Sequence, residues 1–159
     1  LPIYEITFTA PYVEIEATYL VPPGSPFKSV DEVDRDGVRI SVTGKAAYDL
    51  YLTRTLKHAQ LFRTGDAVAT FKQFVDEKMD ALAGLRSQLE IDCEKMPGSR
   101  ILPGRFTAVV QAAGTPRAHA AGARYLAEFI EEMKASGFVA QAIANNKVRG
   151  LTVAAPAAR

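Results

Sequence analysis

Residues 41–54 read "SVTGKAAYDLYLTR" and pass from a β-branched strand through a single glycine into a helical stretch, with Lys45 at the turn. Val38, Ile40 and Val42 alternate ahead of Gly44, which marks a strand over 37–43, and behind it Ala47, Leu50, Tyr51 and Leu52 fall at helical spacing. A strand that turns through glycine into a helix aims unpaired first-turn N–H groups, and the positive end of the helix dipole, at whatever lies beyond the strand's carboxyl end.

The alternation continues outward from this stretch. "EATYLVP" (16–22) is a strand closed by "PPGSP", Ser29 starts a short helical turn in "FKSVDEV", and "AQLFRT" (59–64) is the next strand. Thr64 is expected to cap a helix whose apolar stripe is Ala67, Phe71, Phe74 and Val75; "MDALAGL" (79–85) is a strand with a second glycine, Gly84, near its end. A polar helix over 86–95, the breaker "MPGSR", a strand over 106–114 and two helices, 116–134 and 137–146, complete the chain. Strands and helices alternating on connections long enough for crossovers predict an α/β fold with a mostly parallel sheet flanked by helices. Ligands in such sheets bind beyond the carboxyl ends of the strands, so the turns at Gly44 and Gly84 are the expected floor of a site.

Composition narrows the function classes. The 159 residues are 48% hydrophobic, enough for a proper core, and 19 basic against 18 acidic residues leave no basic surface to predict a nucleic-acid partner. Apolar runs such as 107–113 fall far short of the roughly 18 residues of a membrane span. A lone Cys93 excludes an internal disulfide framework and a cysteine-rich zinc site, and reads as a helix-side packing residue. His58 and His119 lie in no metal or nucleophile motif and read as surface helix residues, so neither metal nor cofactor is expected. Leu1 opens directly on the strand-like "LPIYEITFTAPY", without a charged and apolar leader.

Four segments in order, "FTAPYVEIEATYLVPPGSPFKSVDEV", "GVRISVTGKAAYDLYL", "FVDEKMDALAGL" and "MKASGFVAQAI", resemble the extracytoplasmic solute-binding proteins of polar-amino-acid ABC transporters, bacterial family 3 of the type II periplasmic binding proteins. The resemblance implies two lobes that close about a hinge on a small solute, a periplasmic location and docking onto an ABC permease in the inner membrane. Only seven residues precede Phe8, where that family has most of a first lobe. Residues 1–18 then correspond to the hinge and a remnant of lobe 1, 19–105 to lobe 2, and 106–159 to the return crossover and C-terminal helices of lobe 1. On this division the missing leader carries no information about location, and the helix at 116–134 has an apolar face whose natural partner is lacking, an invitation to a homo-dimer.

The resemblance also implies a set of ligand-binding positions: Tyr12 and Glu14 in the hinge, Gly44, Lys45 and Ala46 at the first turn, and Gly84, Leu85 and Arg86 at the second. Tyr12 offers a ring to stack on a solute, and Glu14 and Glu16 share one side of their strand. Lys45 and Ala46 stand where the family places hydroxyls; Lys45 either turns inward to a solute anion or stays in solvent. Leu85 stands where amino-acid binders place an aspartate for the α-ammonium group, which disfavours an ordinary α-amino acid and favours an anionic or weakly charged solute. Gln88 and Tyr48 are lesser candidates, and Asp80 reads as structural. The expected function is solute capture for an importer, without catalysis, because no paired carboxylates stand at the strand ends. The alternatives are an enzyme on the same fold, similar to cyclohexadienyl dehydratase, and the sensing domain of a membrane receptor.

Overall fold

The computed structural model describes residues 3–158, so Leu1, Pro2 and Arg159, the ends of the expected lobe-1 segments, lie outside the described residues. The chain divides into two compact units, Leu1–Ile15 with Val110–Arg159, and Glu16–Val109.

The elements follow the sequence pattern closely. A short strand β1 (Ile6–Phe8) is followed by β2 (Val13–Val21), β3 (Arg39–Thr43), helix α1 (Ala47–Thr55), β4 (Gln60–Thr64), α2 (Ala67–Asp76), β5 (Ala81–Leu85) and α3 (Arg86–Lys95). Then come β6 (Arg100–Ile101), β7 (Thr107–Gln111), β8 (Gly114–Pro116), α4 (Ala120–Ala135), α5 (Phe138–Asn145) and β9 (Leu151–Val153). The fold class is the expected one.

In Glu16–Val109 the strand order is β4-β3-β5-β2-β6. β3 pairs in parallel with β4, from Arg39 opposite Gln60 to Thr43 opposite Thr64, and with β5, Ile40 opposite Ala81. β2 runs antiparallel to both β5 and β6, so β6 shares the direction of the parallel core and β2 alone is reversed. Helices cover both faces. Ile40 and Val42 join Tyr19, Val21, Val33, Leu52, Ala81 and Ala83 in one apolar cluster. Leu20 and Leu82, one residue out of phase on their strands, join Phe74 of α2, Leu89 of α3 and Met79 in the other.

Three local expectations are corrected. α2 is capped by Asp66, whose Oδ1 accepts from the Ala69 N–H at 2.8 Å, and not by Thr64, which ends β4. Its buried face is Thr70 and Phe74 with Phe71 alongside; Val75 is exposed because the 3.6-residue turn carries it off that face, and Ala67, which shares the face by spacing, is exposed because it is the first residue of the helix. Neither histidine lies in the body of a helix: His58 sits in the turn after α1 with its ring 3.1 Å from Asp36, and His119 is the N-cap position of α4. Strands β6, β8 and β9 carry no sequence signal at two or three residues each. Cys93 does pack as expected, against the second cluster.

In the other unit β1 pairs antiparallel with β8, and β9 pairs with Val13–Ile15 of β2. A Cβ on Gly114 would stand 2.6 Å from Ile6 Cγ2, so only glycine permits this close strand pair. Gly137 takes the left-handed conformation, φ 83°, that "SGF" signals between the last two helices. The Lys134 ammonium is buried and donates to the carbonyls of Pro11 (3.0 Å) and Ala155 (2.9 Å) beside the Glu131 carboxylate, which ties two chain segments to α4.

Among the described residues no helix is long and apolar enough to cross a membrane, and no cluster of His, Cys, Asp or Glu could hold a metal ion.

The loop ahead of β3 is fastened by Asp34, whose carboxylate accepts the N–H groups of Lys57 (2.9 Å), His58 (2.8 Å) and Ala59 (2.9 Å). Burial pushes the Asp34 carboxyl up, but these three N–H groups and the nearby His58 ring outweigh it and hold it below the ordinary carboxylate range. A depressed carboxyl contributes stability above its unfolded value, and the contribution fades as pH falls through the folded one. Asp34→Ala is therefore expected to cost about 1 kcal/mol at neutral pH, roughly 2–4 °C in melting temperature for a chain of this length. The gap from wild type should narrow below about pH 4 in thermal melts across a pH series.

Candidate functional site

Because β3, β4 and β5 run in parallel, their carboxyl ends lie on one edge, and each leads into a helix: α1 after Thr43, α2 after Thr64 and α3 directly after Leu85. At that edge Thr43, Tyr48, Ala67, Thr70, Gly84, Leu85, Gln88 and Asp92 line a cavity of about 200 Å³ whose base is Leu82, Ala83 and Leu89. Residues from the first turns of all three helices, Tyr48, Ala67 and Gln88, stand on its wall. First-turn N–H groups have no intrahelical acceptor and carry the positive end of each dipole, so this edge suits an anionic group.

The side-chain polarity of the wall is complementary to that. Thr70 Oγ1 lies 2.7 Å from the Asp66 carbonyl and shares a hydrogen bond of 2.8 Å with Thr43 Oγ1, and a hydroxyl oxygen carries two lone pairs beside its one proton. Thr43 therefore presents acceptor lone pairs. Asp92, only 3% exposed, adds a carboxylate that accepts from Lys95 Nζ at 3.0 Å and from Gln88 Nε2 at 3.3 Å. Residues of three helix first turns and side-chain acceptors thus share one small cavity.

The sequence candidates distribute unevenly over the fold. Gly84 and Leu85 lie in the cavity together with the lesser candidates Tyr48 and Gln88. Gly44 and Lys45 line a separate depression with Asp49, Leu50, Arg63, Thr64 and Gly65. Around this turn the Gly44 N–H donates to the Thr64 carbonyl (2.9 Å), the Lys45 N–H to Asp49 Oδ2 (2.9 Å) and the Ala46 N–H to the Thr43 carbonyl (3.4 Å). These three amides are engaged within the protein, and the first-turn donors of α1 without an intrahelical acceptor are those of Ala47, Tyr48 and Asp49. Ala46 is the N-cap and makes no side-chain cap bond. Arg86 turns to Glu16 Oε2 (2.6 Å) and the Gly104 carbonyl (2.7 Å), clamping α3 to β2. Tyr12 and Glu14 belong to the other unit, where the Tyr12 backbone bonds Gln111 and Ala154 and Glu14 faces Thr152 of β9. Asp80 is structural, accepting from the Arg39 N–H at 2.7 Å.

Thr43, Thr70 and Asp92 escaped the sequence reading. Asp92 carried a signal: it stands three residues after Leu89, on the buried face of α3, a phase where a carboxylate is out of place.

No protein-family model matches the sequence, and no curated protein does. Solved structures match well. The solute receptor for L-cysteine of Neisseria gonorrhoeae superposes with a TM-score of 0.72 at 18% identity, over 98% of this chain and 67% of its own. The cysteine-binding protein from Campylobacter jejuni gives 0.69 at 17%, over 89% of this chain and 57% of its own. An ancestral amino acid-binding protein described as a precursor of cyclohexadienyl dehydratase gives 0.69 at 14%, over 89% and 61%. The chain therefore spans between 57% and 67% of the length of these neighbours. The likeness is one of fold, and it is the fold that the four sequence segments imply.

Substitutions at two positions probe the turns. Lys45 sits at φ 68°, in the left-handed region that costs a side-chain-bearing residue roughly 1–2 kcal/mol. Lys45→Gly is expected to raise stability by about 1 kcal/mol while Lys45→Ala leaves it nearly unchanged, as chemical denaturation would show. A Cβ on Gly84 would stand 3.0 Å from Leu89 Cδ2 and 3.3 Å from its Cγ. Gly84→Ala is expected to destabilise by about 1–3 kcal/mol through overpacking and to narrow the cavity.

Proposed function

We propose that the chain is part of the substrate-binding component of an ABC-type importer and captures a small polar or anionic solute, an amino acid or a related organic acid, outside the cytoplasm. The observation that carries this reading is the cavity at the carboxyl ends of β3 and β5, walled by residues from three helix first turns and by acceptor side chains, and of a size for a small solute only. Neighbours with the same fold are described as a cysteine-binding protein and a solute receptor for L-cysteine, which supports a solute of this class. The solute's charged oxygens would meet first-turn N–H groups such as those of Tyr48 and Ala67. A membrane permease is the partner this function requires. The exposed rings of Tyr125 and Phe129 on α4 and of Phe138 on α5 support pairing with a second copy.

Binding is tested on the whole 159-residue chain. Titration with neutral and acidic L-amino acids and with small dicarboxylates, followed by amide chemical shifts, should move Thr43, Tyr48, Ala67, Gly84 and Gln88 saturably. The movement should weaken at least about tenfold in Gly84→Ala, the effect of losing about 1.4 kcal/mol. Shifts confined to residues outside the cavity would refute the reading. Turnover of a keto acid or a prephenate-like substrate, abolished by replacing one acidic residue, would move the assignment to an enzyme on this fold.

A further inference from the structure

We propose that Asp92 is the residue by which the cavity selects its solute, by accepting from an ammonium group or another strong donor on it. The inference rests on the cavity being the solute site. Leu85, at the end of β5, offers nothing to a cation, so a cationic group in the cavity needs its counter-charge from elsewhere on the wall. Among the described residues Asp92 is the only carboxylate on that wall.

Its placement is hard to explain by stability alone. Asp92 occupies the same buried face of α3 as Leu89, where an apolar side chain would pack without loss. Burying a carboxylate there is compensated by one lysine and one long amide contact, and a pair of this kind is weak grounds for stability. Both of these donors reach Oδ1, and Oδ2 accepts from neither. An ionised carboxylate has acceptor sites on both oxygens, so Asp92 retains capacity for a donor from the cavity it lines. Lys95 is half exposed, and its ammonium lies 5.2 Å from the Phe71 ring centroid, a second favourable contact that holds it on the outer side when a solute cation takes up Oδ2. Gln88 donates its amide N–H to Asp92, so its own carbonyl oxygen is left as a further acceptor on the same wall. Thr43 supplies a third. The cavity then reads a solute with an anionic end, held by the helix first turns, and a donor-rich end, held by Asp92, Gln88 and Thr43.

The test compares two probes that differ only in the ammonium group, L-cysteine and 3-mercaptopropionate, each titrated under reducing conditions into the whole chain and followed by the amide shifts of Thr43, Tyr48, Gly84 and Gln88. Wild type should prefer L-cysteine, and Asp92→Asn should cut that preference about tenfold or more, the weight of one charge-assisted hydrogen bond, while leaving 3-mercaptopropionate little changed. If Asp92→Asn fails to fold with Lys95 unpaired, Asp92→Asn combined with Lys95→Met removes both charges and should show the same loss of preference. An unchanged preference in either folded variant overturns the inference and leaves the solute site standing. Failure of both probes to move any cavity amide in wild type overturns the inference together with the reading beneath it.

Discussion

Parallel strands cannot be joined by a tight turn, so each must be followed by an element that carries the chain back to the starting edge. In Glu16–Val109 this constraint falls on β3, β4 and β5, and α1, α2 and α3 discharge it in turn. The cavity is a consequence. Wherever the carboxyl ends of neighbouring parallel strands line up, so do the first turns of their helices, and the polar groups those turns cannot satisfy internally face the same small volume. Residues as distant in sequence as Thr43 and Asp92 become neighbours because the register of β3 on β5 places Ile40 beside Ala81.

The polar residues buried near this edge divide by what they complete. Asp49 is satisfied by the Lys45 N–H and by Arg63 Nε at 2.9 Å, and it fixes the turn that Lys45 enters through a left-handed conformation. Ser41 donates to the Thr70 carbonyl at 2.9 Å and so fastens β3 to α2 beneath the cavity. Arg86 and Glu16 hold the start of α3 against β2. These groups make the first turns rigid, and rigid donors are what a site for a small solute needs, because freezing them is not then charged against binding.

Most of the architecture could be read from the chain because it rests on two periods. The alternation of Val38, Ile40 and Val42 and the helical spacing after Gly44 are local patterns, and "SGF" announces its left-handed glycine without help from tertiary structure. What was not legible depends on partners far away in sequence. β6, β8 and β9 are strands only because β2 and β1 offer them edges, and runs of two or three residues carry no period. The cap of α2 was misplaced by two residues because Thr64 and Asp66 are both good caps; β4 claims Thr64 through its pairing with Thr43, which leaves Asp66 to the helix. At the candidate site, the glycine turns pointed to the edge that carries the cavity, whose lining includes Gly84 and Leu85, whereas the internal bonds made by the Gly44, Lys45 and Ala46 amides could not be foreseen from a motif.

The leucine at position 85 and the aspartate at position 92 bear on one another. Leu85, at the end of β5, is only partly buried, and at such a position water competes for any charge a side chain carries. A carboxylate that is 3% exposed acts at lower effective dielectric, where the same Coulombic contact is several times stronger and a mismatched solute is penalised more heavily. Under the proposal, placing the acidic group on the second turn of α3 exchanges easy access for discrimination, and Lys95 and Gln88 supply the carboxylate with donors from within the protein. Lys95 and Gln88, at i+3 and i−4, occupy two of the positions three and four residues away from which a side chain on the same helix can reach it.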